Sequence, residues 1–288
     1  PATGHIAFTR TRDLNGPTPA GLSDIAVVDV RTGEVRVVAQ NGRQPDMRND
    51  GRIVFNGEGG GRDDLQVVQP DGGNLAAISM HPEDSAPAWS GGNSLAFHST
   101  LAGGTDRIFV QWNGDQRAEP QYLEIDNGAN LGPFTGRYPV WVGGRIAYSG
   151  CNSWATGSAC GIYIVDVDAL MRTKQAAKSG MLLLTQQPQD RPTDVLGDTI
   201  LFSSLKTGDW DVFTVPATGG KARNLTNSLS LDLGGAYSPD GNYIAFMSNR
   251  DGWGIWVMEA DGANPRLLVA VPEGFGKLWD QDRLSWGP

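Results

Sequence analysis

The stretch Leu233–Leu268, which reads LGGAYSPDGNYIAFMSNRDGWGIWVMEADGANPRLL, decides the fold. Four short runs of β-prone residues are separated in it by three polar turns. In the Ser-Pro-Asp-Gly turn at 238–241, the proline presets φ and the glycine tolerates the positive φ needed to leave the turn. Four antiparallel strands in about 40 residues is the size of one β-propeller blade. A single sheet of this kind cannot bury both faces, so it must pack against further copies.

Copies of the second strand recur along the whole chain. They are His5–Phe8, Arg52–Phe55, Ser94–Phe97, Arg145–Tyr148, Thr199–Phe202 and Tyr243–Phe246. The aliphatic second positions of these copies are separated by 47, 42, 51, 54 and 44 residues. Copies at this spacing, with insertions confined to loops, predict six blades.

The first strands carry a second repeated feature. In copies two to six they are anchored on Pro45, Pro87, Pro139, Pro192 and Gly235. Two residues later stand Met47, Trp89, Trp141, Asp194 and Tyr237, most of which are large rings suited to packing between blades. No N-terminal segment supplies this strand for blade one, whereas the C-terminal Arg283–Pro288 carries Trp286 at the matching place. We therefore expect the C-terminus to provide the inner strand of blade one and close the ring.

The predicted fold is all-β: one six-bladed propeller domain over residues 1–288, with four antiparallel strands in each blade. A capped helix at 169–178 is expected as an insertion in blade four. The blades are expected at about 1–42 plus 282–288, 43–84, 85–126, 127–188, 189–231 and 232–281.

The repeat resembles the WD-like repeat of TolB-type propellers. The signature of that family is Pro-x-Trp-Ser-Pro-Asp-Gly, an Ile-Ala-Phe-type strand, an Arg-Asp-Gly loop and an Ile-Tyr-Val-Met-Asp-type strand. The match is close over 235–268 and looser elsewhere. The resemblance implies a six-bladed, periplasmic propeller that binds an envelope protein. Similar repeats also form sensor domains of larger envelope proteins and gating domains of prolyl-oligopeptidase-type peptidases.

Composition restricts the class of partner. A net charge of −9 and a pI of about 4.8 argue against a nucleic-acid partner. The longest apolar runs, such as 181–184, are far shorter than the ~20 residues that span a bilayer. Pro1 indicates a processed or trimmed chain without a signal peptide. We expect a monomer that binds a protein or a cell-envelope component.

The two cysteines, Cys151 and Cys160, bracket a single polar loop. Two free thiols in a cytosolic protein would be one interpretation. Their placement at both ends of one loop favours a disulfide, and with it an oxidising compartment, periplasmic or extracellular.

Function is expected on the face that carries the long connections, namely those between the second and third strands and those from one blade to the next. Residues just before the inner strands should surround the channel mouth there, either as a ligand or partner site or as charges paired across the channel. The predicted binding residues are Arg43, Asp84, Arg137, Asp190, Arg191, Asp282 and Arg283, with Trp154 and Trp279 as aromatic anchors in the loops.

Catalytic signatures are missing from the sequence. There is no G-x-S-x-G elbow, no H-E-x-x-H pair and no clustered Cys and His residues, so neither a metal nor another cofactor is expected. The sequence favours a non-catalytic, extracytoplasmic propeller that acts as a protein-binding, scaffold or sensor module. The alternative is a glycan-binding or glycan-cleaving propeller that uses channel carboxylates, Asp190 with Asp282 for example, and rim aromatics.

Overall fold

The computed structural model describes residues 2–18, 21–59, 63–79, 81–101, 104–114, 121–122, 135–151, 159–167 and 182–288. Its strands form six four-stranded antiparallel sheets, each of which is one blade of a propeller. The predicted helix at 169–178 and Trp154 lie outside the described residues. In the part of the chain that is described, no helix has the length and apolar character needed to cross a membrane.

Blades one to three contain the following strands: β1 His5–Asp13, β2 Leu22–Asp29 and β3 Val35–Gln40; β4 Gly42–Met47, β5 Ile53–Gly57, β6 Leu65–Val68 and β7 Ala76–Ala77; β8 Ser85–Trp89, β9 Leu95–Ser99, β10 Arg107–Gln111 and β11 Gln121–Tyr122. Blades four to six contain β12 Thr135–Val142, β13 Arg145–Cys151, β14 Gly161–Asp166 and β15 Leu182–Leu183; β16 Arg191–Leu196, β17 Thr199–Ser204, β18 Asp211–Pro216 and β19 Arg223–Asn224; β20 Asp232–Tyr237, β21 Tyr243–Ser248, β22 Gly254–Glu259 and β23 Arg266–Ala270. A 3-10 turn, Trp279–Gln281, precedes the last strand, β24 Ser285–Gly287.

The ring is closed by the C-terminal strand, as the sequence predicts. β24 pairs antiparallel with β1, and Trp286 lies opposite Ile6. The Trp286 indole donates a hydrogen bond to the Thr3 carbonyl at 2.9 Å. Gly4 sits in this join with φ +98°, and a Cβ there would meet the Gly287 carbonyl oxygen at 2.3 Å. Blade one is therefore built from both ends of the described chain.

The hydrophobic core is divided among the gaps between neighbouring blades. Alternate residues of each second strand point to opposite faces of their sheet. In blade two, Ile53 and Phe55 pack toward blade one, whereas Val54 packs toward blade three. Both faces of each blade are thus buried against a neighbour, which is why a single repeat cannot be stable alone.

The inner strands share a bulge that positions their polar side chains. Pairing with the second strand skips residues between Arg43 and Asp46, and the same irregularity occurs in the other blades described here except blade one. Within the bulge, Gln44 and Tyr138 adopt positive φ values of 55° and 53°. This conformation turns both side chains into the channel, where they line one cavity.

One detail of the predicted alignment is wrong. Asp194 was expected at the interblade ring position, two residues after the strand anchor. Instead Val195 pairs with Ile200, as Met47 pairs with Ile53, so Val195 takes the ring position and Asp194 the position before it. The bulge in blade five lies one residue later relative to its proline. A shift of one residue moves a side chain to the other face of a strand, so Asp194 faces the channel.

Candidate functional site at the channel mouth

The two ends of the channel differ in the length of their loops. We call the end with the connections between second and third strands, and from blade to blade, the long-loop face. We call the end with the turns between first and second strands, such as 90–94 and 238–242, the tight-turn face. The predicted binding residues that the structure describes, which do not include Trp154, lie in three settings: the channel mouth, the interior of the blades and the outer rim.

Asp282 and Arg43 form a buried ion pair across the ring closure. The side chains are 1% and 5% exposed, and Arg43 Nη2 lies 3.0 Å from Asp282 Oδ2. Asp282 Oδ1 accepts hydrogen bonds from Thr9 Oγ1 at 2.7 Å and from the Gln44 amide at 2.9 Å. Arg43 also contacts Glu58 at 3.1 Å. Burial opposes the charge of Arg43, but Asp282 and Glu58 favour it, and the net effect raises the pKa of the guanidinium. This pair joins blade one to blade two.

Arg191 is a cation held in place at the mouth. Its guanidinium carbon lies 5.3 Å from the Tyr138 ring centroid and 5.0 Å from that of Trp210, within cation–π range. Its Nη1 donates to the main-chain carbonyl of Asp280 and lies 3.1 Å from the Asp280 carboxylate. Three residues therefore fix its orientation, so the charge is presented in one geometry.

Arg283 crosses the channel and blocks it. Its guanidinium donates to the carbonyls of Thr193 in blade five and Pro87 in blade three, and lies 3.5 Å from Asp46 of blade two. Above it, the space among the mouth residues is about 20 Å³, enough for a water molecule. The channel entrance above Arg283 is therefore filled by side chains, and an open cavity of about 580 Å³ lies beside it, lined in part by Arg43 and Gln44.

Asp84 and Asp190 do not reach the mouth. They are 0% and 2% exposed, and neither lines the mouth space above Arg283 or the cavity of about 580 Å³ beside it. Burial raises the pKa of Asp84 to about 6, against the lowering effect of the Ser99 and Ser79 hydroxyls. Burial also raises the pKa of Asp190. Hydroxyl groups lie near both carboxylates, those of Ser79 and Ser99 near Asp84 and those of Thr185 and Ser204 near Asp190. Both carboxylates therefore belong to the interior of the blades and not to the predicted binding surface.

The outer rim carries the more exposed predicted residues. Arg137 pairs with Asp106, with its Nε 2.6 Å from the carboxylate, and its side chain is 41% exposed. Trp279 is partly buried and packs on Trp253, with ring centroids 5.4 Å apart. A disulfide joins Cys151 and Cys160, whose Cα atoms are 4.1 Å apart. Both half-cystines are buried, so the bridge anchors the ends of the loop in blade four.

The structure also places a Ser–His pair that sequence reasoning missed. Ser85 Oγ lies 2.9 Å from His98 Nε2, beside a cavity of about 580 Å³ at the long-loop face. His98 Nδ1 accepts the Tyr138 amide at 3.3 Å, so its proton is on Nε2 and is donated toward Ser85. Burial lowers the pKa of His98 to about 4. With that tautomer the histidine cannot take the serine proton, and the pair is structural. Neither residue belongs to a recognisable motif, so the sequence carries no signal for it.

Comparisons with known structures agree on the architecture. A TolB-type protein of Agrobacterium tumefaciens is 18% identical, with 100% of this chain and 99% of that chain aligned and a TM-score of 0.65. TolB of Acinetobacter baumannii is 16% identical over 99% of this chain and 67% of its own, with a TM-score of 0.67. A chain from a nidogen–laminin complex is 11% identical, with 98% and 97% covered and a TM-score of 0.66. No protein-family model matches the sequence.

The repeat, the sheet order and the filled channel together define a six-bladed β-propeller closed by its C-terminal strand. At these identities the structural likeness establishes the fold. Within that class, the fold is TolB-like, in agreement with the repeat signature at 235–268.

Proposed function

We propose that the protein is a non-catalytic binding module whose long-loop face docks another protein. The observation that carries this proposal is Arg191, a mouth cation fixed by Tyr138, Trp210 and Asp280 above a channel with room for a water molecule. Arginines and aromatic rings held rigidly at the centre of a surface are typical anchors of protein interfaces. The filled channel entrance around Arg191 suits contact with the surface of a partner better than entry of a small ligand into the channel.

The rim around Arg191 supports recognition by charge. Asp280 and Glu273 have side chains that are 31% and 28% exposed, and Arg137 and Arg10 are each 41% exposed. Exposed charges of both signs in a fixed pattern give an interface specificity and faster association. The Trp253–Trp279 pair adds an aromatic contact beside them. The rim therefore combines steering charges with a central anchor.

The mouth geometry disfavours the glycosidase alternative. Both carboxylate oxygens of Asp282 already accept hydrogen bonds, Oδ1 from Thr9 and Gln44 and Oδ2 from Arg43. Asp190, its suggested partner, is buried away from the mouth cavity. An inverting or retaining mechanism needs two carboxylates that flank an open sugar site. This pair provides neither the free oxygens nor the open site.

We place the protein outside the cytoplasm, in the periplasm or secreted, with an envelope protein as its partner. The Cys151–Cys160 disulfide supports this, because such bonds persist in oxidising compartments. The TolB-like fold adds support from structural likeness. A neighbour of the same fold occurs in a nidogen–laminin complex, so this architecture occurs in assemblies of two proteins.

The experiment is capture from an envelope extract by cross-linking, followed by affinity measurement with the identified partner. Arg191→Ala, Arg137→Ala and Trp279→Ala should each weaken binding by about 1–2 kcal/mol, while Asp71→Ala and Asp261→Ala in the tight-turn face should not. Raising the salt concentration should weaken the arginine contribution more than the tryptophan contribution. Binding that survives all three long-loop substitutions but is lost with the control pair would refute the choice of face.

A further inference from the structure

The tight-turn face contains a second cavity on the channel axis, at the opposite end from the proposed docking surface. It has a volume of about 540 Å³ and is walled by the inner strands of all six blades. Arg283 separates it from the mouth, because that side chain lines both spaces. The volume lies in the range of sites for small molecules, ~300–1,000 Å³. This cavity plays no part in the proposed protein docking.

Two carboxylates, Asp46 and Asp194, occupy equivalent places in its wall. Asp46 pairs with Val54 in blade two and Asp194 with Leu201 in blade five, which are the same positions of the repeat. Blades two and five are three steps apart in a ring of six, so the two side chains come from opposite sides of the channel. The remaining blades have small or apolar residues there: Ala88, Val140, Ala236 and Ser285. The repeat therefore folds without a charge at this position.

The bonds that these carboxylates make leave their charge largely uncompensated. Asp46 accepts the Trp89 amide at 2.6 Å, and Asp194 accepts the amides of Tyr237 and Val195 at 2.7 Å each. These donors are neutral groups. Each of the amides of Trp89 and Tyr237 belongs to the next blade, so the carboxylates also link neighbouring blades.

In the described part of the cavity wall, the guanidinium of Arg283 is the positive charge that compensates Asp46 and Asp194. Arg283 lies 3.5 Å from Asp46 and spends other donors on the Thr193 and Pro87 carbonyls. Arg48, also in the wall, stacks on Trp89 and pairs with Asp50 at 2.7 Å. If both carboxylates were ionised beside this one committed cation, an excess negative charge would lie on the axis.

Both carboxylates have raised pKa values, chiefly because they are buried. Burial raises the pKa of Asp194 to about 7, and the nearby charge of Asp46 raises it further, against the lowering effect of Arg283. Burial also raises the pKa of Asp46. A cation placed between the two carboxylates would favour their ionised forms and displace protons.

We propose that this cavity binds a small organic cation through a primary ammonium group held between Asp46 and Asp194. An ammonium group is compact and has three N–H donors, which suits carboxylates approaching from two sides. A hard divalent cation would need six or more oxygen ligands, and the described residues bring no group of three acidic, histidine or cysteine side chains together. Trp89, Trp141, Tyr237 and Trp286 contribute apolar surface to the wall, against which the carbon chain of an amine can pack.

The test uses the full chain, n-butylammonium as the probe, and the indole N–H signals of the tryptophans in NMR spectra at 0.15 M NaCl. Saturable shifts at Trp89, Trp141 and Trp286 are expected with butylammonium. 1-Butanol, which has the same chain without charge, should give none. Tetramethylammonium, which has charge but no N–H donors, should bind at least tenfold more weakly. Shifts that do not saturate, or that butanol reproduces, would overturn the proposal.

Substitutions of Asp46 and Asp194 test whether these two carboxylates bind butylammonium. Asp46→Asn and Asp194→Asn keep an oxygen that can accept the neighbouring amide, and each should raise the Kd at least tenfold. Asp46→Ser installs the residue that blade one uses at this position, and serves if the asparagine variant fails to fold. Asp198→Asn is the matched control, because its carboxylate is 74% exposed on the same face. The proposal fails if the control weakens binding as much as the channel variants, or if the channel variants bind normally.

Proton release gives an independent readout. Calorimetry at pH 7 in two buffers of different ionisation enthalpy should show up to one proton released as butylammonium binds, and less in Asp194→Asn. Uptake of protons on binding would contradict an ammonium group seated between carboxylates.

Discussion

Asp282 is the residue whose replacement tests the ring closure most directly, because its carboxylate ties the last strand to the first two blades. Asp282→Ala leaves the buried Arg43 without its nearest partner and the Gln44 amide without an acceptor. Removing one member of a buried ion pair costs ~3–5 kcal/mol. Glu58, 3.1 Å from Arg43 and 24% exposed, retains part of the compensation. We therefore expect a loss of about 3 kcal/mol in the free energy of unfolding.

Three further variants test whether the loss comes from the buried ion pair. Asp282→Asn keeps one acceptor oxygen while losing the charge, and should cost about 2 kcal/mol. Asp251→Ala, an exposed loop carboxylate, should change stability by less than about 0.5 kcal/mol. Arg43→Leu combined with Asp282→Leu should cost less than the sum of the two single leucine variants, since the double variant leaves no unpaired charge.

Unfolding in urea, which does not screen charges, gives the free energies. A cost below about 1 kcal/mol for Asp282→Ala would show that the ion pair does not hold the closure. Additive losses in the double variant would show that Arg43 and Asp282 do not interact, and the structural argument would then fail.

Four other outcomes are expected. Removing 282–288 should expose the edge of β1 and cause aggregation or loss of cooperative melting, and wild-type melting would contradict the closure. Gly4→Ala should destabilise strongly, because its φ and the Gly287 carbonyl exclude a Cβ; unchanged urea stability would count against this. Mass spectrometry without reductant should find the Cys151–Cys160 bridge, and replacing both cysteines by alanine should cost about 3 kcal/mol. Folding raises the pKa of Asp194 from its ordinary value near 4 to about 7, so the free energy of unfolding of wild type falls as pH rises between those values. Asp194→Asn should therefore gain stability relative to wild type from pH 5 to 7, by at most about 1.4 kcal/mol per pH unit, and the opposite trend in urea unfolding would refute the assignment.

The architecture was predictable because the repeat carries redundant signals. Second strands of the Ile-Ala-Phe type and tight turns recur at blade spacing, and each copy supports the same interpretation. The ring closure was predictable for a similar reason: Trp286 stands in a place that the other blades fill with large side chains. Local pattern and global fold agree, which is typical of sequences that fold uniquely.

The side of the sheet that a residue faces was much harder to predict. Asp84 and Asp190 directly precede inner strands, one position earlier in the repeat than Arg43, and their carboxylates are buried within their blades. The position of a residue along its strand determines how far along the channel axis it lies, whereas a bulge determines the direction of its side chain. The bulge in blade five lies one residue later than its proline suggests, and that shift placed Asp194 in the channel.

The blocking of the channel by Arg283 could not be predicted from the sequence either. Arg283 occupies the bulge position that other blades give to Gln44 or Tyr138, and only the assembled ring shows that its guanidinium reaches three other blades. Contacts across a channel join residues whose separation in sequence is arbitrary. A single sequence carries no information about such pairs.

The join between β1 and β24 has a kinetic consequence. It unites residues about 280 positions apart, whereas each of the other blades forms from a continuous stretch of roughly 50 residues or fewer. Loop closure over that distance costs roughly 5 kcal/mol of chain entropy, to be recovered only when the last strand docks. Folding should therefore finish at blade one, and unfolding should begin there. A circular permutant that links 288 to 1 and opens a tight turn elsewhere would keep every contact described above while moving the weakest point to another blade.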